Sequence, residues 1–302
     1  MPAEKRPPVC DYEGSDYQTR FWEKGGREYE DRCEAIALKR LLPKSGSLML
    51  ELGAGAGRNT PRYHGFERVV LLDYSRTQLQ QAQARLGKSG RYIYVAADIY
   101  RLPFIDSLFD AATMIRTLHH MQDSPAALRQ VWNVLRPQAA FILEFANKRN
   151  LKAILRYALR RQTWNPFSPE QVEFTPLNFD FHPRTVHAWL AQTGFRVEKT
   201  LTVSHFRVGF LKRTVPAPLL AGLDSLLQWT GALVQVSPSV FLRNRVEKPA
   251  DGPRLAAGDA LSLFKCPQCG HAPLKDKESH LLCPSCKREW PVDDGIYNFK
   301  AD

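Results

Sequence analysis

The most constraining feature of this chain is Leu48-Met49-Leu50-Glu51-Leu52-Gly53-Ala54-Gly55-Ala56-Gly57-Arg58, an apolar run that empties into a loop with glycine at every second position. Such a run reads as a buried strand, and glycine lets the loop turn sharply and bring backbone N–H groups close to a ligand. A dinucleotide fingerprint requires G-x-G-x-x-G, and position 58 is arginine. An acid two residues before Gly53 suits instead a ligand carrying both an amino acid and a nucleoside. Twenty residues after Gly53, Asp73 closes the run Val69-Val70-Leu71-Leu72, where a carboxylate can accept both hydrogen bonds of a ribose diol. Asp98 ends a third run and is placed for an adenine amino group.

Around this loop, strand-like runs at Ser47–Leu52, Val69–Leu72, Tyr92–Ala96, Ala111–Ile115 and Ala139–Phe145 alternate with helix-like Arg76–Leu86 and Ser124–Leu135. Alternation of this kind predicts a parallel sheet. Arg184–Thr193 reads as a helix ending at Gly194, and Phe195–Val203 and Ser239–Val246 as two closing strands. A chain of 302 residues, 44% hydrophobic and 24% charged, has room for one large domain and a small one. The division is expected at 247–260, EKPADGPRLAAGDA, which has no apolar periodicity and reads as a linker.

Together with Phe109-Asp110, Leu118-His119-His120-Met121 and Leu135-Arg136-Pro137, the glycine loop and its acids resemble the class I S-adenosylmethionine-dependent methyltransferases, particularly the group that includes quinone-biosynthesis enzymes. The resemblance covers about residues 12 to 247. It implies Gly53, Gly55 and Gly57 around the methionine part of S-adenosylmethionine, with Ala54 and Arg58 beside them. It also implies Glu51 near the ammonium, Asp73 with Tyr74 at the ribose, and Asp98 with the Ile99 backbone at the adenine. Gln138-Ala139-Ala140 replaces the Gly-Gly turn usual in that family, at a point remote from the cofactor.

His119 and His120 lie at the substrate-facing mouth if the resemblance holds, and histidine is the usual base near neutral pH. They are the catalytic candidates, against the plainer reading that one caps a helix and the other packs on the cofactor. The loop lacks the Asn/Asp-Pro-Pro-Tyr that grips planar amines. Outside the C-terminal cysteine module only Cys10 and Cys33 are available as nucleophiles, both before the glycine loop. In the family the N-terminal helix often closes over the cofactor, but Arg27, Tyr29 and Glu30 sit in an Arg/Glu-rich stretch that reads first as a solvated face.

Residues 251–302 hold seven Lys/Arg against eight Asp/Glu, so the net charge of +11 comes from the first 250 residues, at +12. Residues 148–161, KRNLKAILRYALRR, have six Lys/Arg and no acid and read as a basic amphipathic helix. Residues 215–236, with Asp224 as their one charge, suit a helical hairpin that covers a pocket or touches a lipid surface. The plain alternative is that the two insertions pack on each other. A small or apolar acceptor is expected, approached at a membrane surface, with RNA the alternative acceptor. No apolar run follows the charged N-terminus and none is long enough to span a bilayer, so a cytoplasmic location is expected, peripheral to the inner face of the membrane. No obligate protein partner is inferred.

Cys266-Pro-Gln-Cys269 and Cys283-Pro-Ser-Cys286 can each offer two thiolates, and together they complete a tetrahedral zinc site with no open position, hence a structural one. His271 and His280 are read as surface residues. The module, ending in Trp290-Pro291-Val292 and Gly295-Ile296, resembles the small zinc-ribbon proteins that activate methyltransferases, which implies an intramolecular version of that pairing. The rival reading is a nucleic-acid-binding ribbon.

The expected architecture is α/β: a Rossmann-like, seven-stranded, mostly parallel sheet over residues 1–246, with insertions at about 148–183 and 213–238, and a zinc ribbon at 261–302. The expected function is methyl transfer from S-adenosylmethionine. A cofactor-binding scaffold without catalysis is the remaining alternative.

Overall fold

A computed structural model describes residues 7–15, 22, 25–249 and 260–300. Residues 250–259, most of the expected linker, lie outside the described residues. After the helix α1 (Glu28–Leu41), strands β1 (Gly46–Leu52), β2 (Phe66–Asp73), β3 (Tyr92–Ala96), β4 (Phe109–Met114) and β5 (Leu135–Ala146) pair in parallel in the order β3-β2-β1-β4-β5. These strands are buried on both faces, which is why they read as unbroken apolar runs. Between them, α2 (Arg76–Leu86) starts where the Ser75 hydroxyl accepts from Gln78 N–H, and α3 (Ser124–Val134) where Asp123 accepts from Ala126 N–H.

Beyond β5, α4 (Leu151–Ala158) and a hairpin of β6 (Val172–Thr175) and β7 (Asn178–Asp180) precede α5 (Pro183–Thr193), which ends at Gly194 with φ of 96°. Strands β8 (Phe195–Val203) and β9 (Ser239–Val246) then close the sheet antiparallel, with β9 inserted between β5 and β8. They are bridged by α6 (Gly209–Thr214) and α7 (Ala217–Leu227). The strand order reverses at β1, so the loops after β1 and β4 diverge and leave a crevice at the C-terminal ends of the strands.

Residues 1–246 supply the seven strands expected, but the sheet does not stop there. Four C-terminal strands, β10 (Lys275–Lys277), β11 (His280–Leu282), β12 (Glu289–Asp293) and β13 (Ile296–Asn298), continue it to eleven. The join is parallel pairing of β13 with β3, Ile296 opposite Tyr94 and Asn298 opposite Ala96. Without it β3 would be an open apolar edge, the kind of surface that invites aggregation. Phe264 reinforces the join, buried against Phe104, Tyr297 and Phe299, while Ile105 N–H donates to Leu263 O and Lys265 N–H to Pro103 O.

Both insertions differ from expectation. The basic helix is only Leu151–Ala158, because Lys148 is buried, with its ammonium donating to Ser168 Oγ and Glu170 O. The hairpin expected over 215–236 is one helix, α7, followed by a 3-10 turn at Gln228–Ala232. Gly231 in that turn packs on the backbone of Leu201 and Thr202, leaving no room for a Cβ. No helix among the described residues is long and apolar enough to cross a membrane.

Candidate active site

A cavity at the crevice is walled by Glu51, Gly53, Ala54, Gly55, Arg58, Asp73, Tyr74, Ile99 and His120. Gly53 has φ of +66°, and a Cβ there would overlap the Thr117 side chain, so glycine is required where the β1 and β4 loops touch. Gly57 is different. It is not on the wall, and a Cβ there would meet Leu86 and Ala82, so it allows α2 to pack on the loop.

Glu51 accepts from Thr60 Oγ1 at 2.6 Å and from the Tyr63 hydroxyl at 3.2 Å. Burial pushes its carboxyl up to about 7, against the pull of those two bonds. Asp73 accepts from Gly55 N–H at 2.8 Å and Ser75 N–H at 2.9 Å; burial raises its carboxyl and these bonds oppose the rise. Asp98 accepts from Tyr100 N–H at 2.9 Å and faces an adjoining cavity, which shares Tyr74 with the first and is bounded by Arg101, Gln268, Trp290 and Phe299.

The N-terminal helix is not the solvated face its composition suggests. Tyr29, Glu30 and Glu34 are buried. Glu34 receives Arg58 at 2.7 Å and Arg116 at 2.6 Å, and those charges hold its carboxyl down although burial works the other way. Arg58 also pairs with Asp31 and lies over the Trp22 ring at 3.5 Å. Glu30 takes Lys212 at 2.7 Å and Arg27 at 3.2 Å. Buried acids survive here because cations from α6 and from the loops after β1 and β4 converge on them, a non-local fact.

The two histidines differ. His120 is engaged on both nitrogens: Nδ1 lies 2.9 Å from Leu177 O and so donates to it, which leaves Nε2 to accept from the Tyr12 hydroxyl at 3.2 Å. His119, its ring 4.0 Å from that of His120, has no hydrogen-bond partner among the described residues. Burial, then the neighbouring His120, Arg116 and Arg207, hold it neutral, well below the usual histidine value. Nearby, burial raises Asp180 to about 6, with Arg207, Glu144 and Lys148 in electrostatic range.

Arg116, Glu144 and Asp180 were not anticipated. Glu144 carried a readable signal, an acid in the middle of the apolar run Phe141-Ile-Leu-Glu-Phe145. It accepts from Arg116 N–H at 2.8 Å and from the Ser239 hydroxyl. Arg116 follows the apolar run Ala111–Ile115 and Asp180 ends the short strand β7, and neither carried a signal.

The sulfur atoms of Cys266, Cys269, Cys283 and Cys286 all lie within 4.8 Å of one another, with none in a disulfide. Cys266 and Cys286 are 3.6 Å apart, Cys269 and Cys283 3.5 Å. His271 and His280 are outside the cluster.

Residues 50–143 match the family model described as a methyltransferase domain. Curated relatives that match the chain are methyltransferases too. An O-methyltransferase from Penicillium expansum is 30% identical over 145 residues, 45% of this chain and 52% of its own. A 2-phytyl-1,4-naphtoquinone methyltransferase from Nostoc punctiforme is 36% identical over 123 residues, 38% of this chain and 54% of its own. The chain thus spans about half the length of these relatives. Among solved structures, an S-adenosylmethionine-dependent methyltransferase from Listeria monocytogenes aligns over 73% of this chain and 99% of its own, with a TM-score of 0.53 at 16% identity. A chain from the Haloferax volcanii complex between a methyltransferase activator and a methyltransferase aligns over 76% of this chain and 95% of its own, TM-score 0.54 at 14% identity. At such identities the likeness is one of fold, and the fold is the Rossmann-like class I methyltransferase fold.

Proposed function

We propose that the protein transfers a methyl group from S-adenosylmethionine to a small, apolar acceptor, with a C-terminal zinc ribbon that completes the sheet. The cavity at the reversal of strand order, with Glu51 near the end of β1 and Asp73 at the end of β2 on the wall beside the glycine loop, carries this reading. Glu51 would hold the ammonium and Asp73, with a lone pair left on each oxygen, the ribose diol. Tyr74 and Asp98 border the end where the adenine amino group would lie. The donor supplies a methyl group on a sulfonium, so transfer is an in-line displacement that needs alignment more than acid–base help. Should the acceptor need to lose a proton, His120 is the histidine on the cavity wall, its Nε2 now accepting from Tyr12, while His119 is not on that wall. Quinone-type and O-methyl acceptors among the relatives support a small acceptor.

The cysteine cluster fits a four-thiolate zinc. Sulfurs at roughly 2.3 Å from a tetrahedral zinc stand about 3.8 Å apart, close to the 3.6 and 3.5 Å here. Gln268 and Cys269 N–H groups lean on the Cys266 sulfur, and the buried Trp290 indole N–H beside it has no nitrogen or oxygen partner, as suits a thiolate. The ribbon's place on β3 supports its reading as a built-in stabiliser.

Calorimetric titration with S-adenosylhomocysteine tests the cofactor site, and release of S-adenosylhomocysteine with a panel of quinols and phenols tests turnover. Binding without turnover on any small acceptor would favour a scaffold or an RNA substrate. The charge of +11 favours RNA. Against it, leucines outnumber the exposed aromatic side chains Tyr157, Phe167, Phe174, Phe210 and Trp229 in these segments, and leucine cannot stack on a base.

A further inference from the structure

Every large apolar side chain exposed among the described residues lies between 151 and 234, in the two insertions. The other described residues, including the C-terminal module, expose none. Scattered surface leucines need no explanation, but their confinement to two neighbouring segments does.

Both helices concerned turn most of their leucines outward, although α7 also buries Leu220 and Ala221. On α4, the one fully buried residue is Ala153, while Leu151, Leu155 and Leu159, successive turns of one stripe, face outward, Leu159 at 62% exposure. On α7, the buried stripe contains Asp224 and leads into buried Gln228, which bond inward to Tyr29, His205, Arg40 and the Cys33 carbonyl. Its outward stripe is Leu219, Leu223 and Leu226, the last 72% exposed. A helix of a globular protein normally turns its leucines to the core. The two helices are joined through the loop after the 3-10 turn: Leu151 N–H donates to Val236 O at 2.8 Å and the Asn147 amide to Gln235 O at 3.1 Å. That same loop holds Leu233, at 94% exposure.

Charge identifies the occupant. Lys152, Arg156 and Arg160 form an exposed row beside the leucine stripe of α4, with Arg149 and Arg161 flanking the helix in sequence. No Asp or Glu occurs from 145 to 169, and from 199 to 246 the one acid is Asp224, buried and engaged. A second copy of the chain would bring these like-charged rows together across a two-fold contact, which opposes pairing. An anionic bilayer neutralises the row and takes the leucines into its acyl boundary at once.

We propose that α4, α7 and the 233–236 loop form one docking face for an anionic lipid surface. This does not rest on the methyl-transfer reading, because none of these residues lines the cavity and the test needs no turnover.

The full chain should co-sediment with vesicles of phosphatidylcholine containing phosphatidylglycerol and much less with phosphatidylcholine alone. Leu155→Asp or Leu226→Asp, at exposed positions that leave folding intact, should abolish binding. Arg156→Gln should weaken it about five-fold, the share of one basic residue near a charged membrane. S-adenosylhomocysteine affinity should be unchanged in all three. Failure to bind anionic vesicles at low salt would overturn the proposal. So would self-association in the ultracentrifuge that the leucine variants abolish, or salt-sensitive RNA binding that they leave intact.

Discussion

The Asp73 carboxylate accepts a hydrogen bond from Gly55 N–H at 2.8 Å, tying the loop after β1 to the end of β2. The same side chain that would hold a ribose therefore also shapes the loop that would hold the amino acid. Asp73→Ala removes both, and S-adenosylhomocysteine affinity should fall about 10- to 100-fold, the loss expected for charge-assisted bonds. Calorimetry on a protein with an unchanged circular dichroism spectrum checks this; unaltered affinity would remove Asp73 from the site.

Glu51 should make both stability and binding depend on pH. Its carboxyl sits near 7 in the fold against an ordinary 4.5, so between those values the folded chain keeps a proton that the unfolded chain has released. Stability from this group is accordingly greatest at low pH and declines as pH rises from 4.5 to about 7. Glu51→Gln should raise the unfolding free energy at pH 8 by about 1–2 kcal/mol while weakening cofactor binding. In the unsubstituted protein, affinity should drop as pH falls below 7, because an ammonium needs the ionised form; titration in two buffers of different ionisation enthalpy would reveal the proton released.

The C-terminal module should be stabilised by zinc and should in turn stabilise the rest. One zinc per chain is expected by elemental analysis, lost in Cys283→Ser. Loss of the ribbon uncovers the β3 edge, so chelation should lower Tm and cause aggregation, and a chain ending at Pro249 should behave likewise. Phe264→Ala, in the shared core, should cost about 3–5 kcal/mol. A Tm unmoved by chelation would defeat the stabilising role.

On α7 the usual hierarchy of substitutions should be reversed. Asp224→Ala strands the Tyr29 hydroxyl and His205 N–H, both now bonded to it, and should cost about 3 kcal/mol in urea unfolding. Leu226→Ser should change stability by less than about 0.5 kcal/mol. Equal costs would show that α7 packs its leucines inward.

Local chemistry was legible in the sequence. Glycine spacing places the turn after β1, unbroken apolar runs mark doubly covered strands, and Cys-x-x-Cys pairs bring thiols together within a few residues. Each depends on neighbours a few positions away, which a sequence displays directly. The tertiary structure alone decided the rest. Glu30 read as solvated because its counter-charge Lys212 comes from a distant element, and nothing singled out Glu34, whose partners Arg58 and Arg116 are equally distant. The apolar composition of α7 could not say which stripe faces inward, since that is set by Tyr29 and Arg40 on α1 waiting for Asp224 and Gln228. Nor could a short strand such as Ile296–Asn298 announce that it would join β3, because pairing is chosen by whichever edge is left open once the whole sheet has formed.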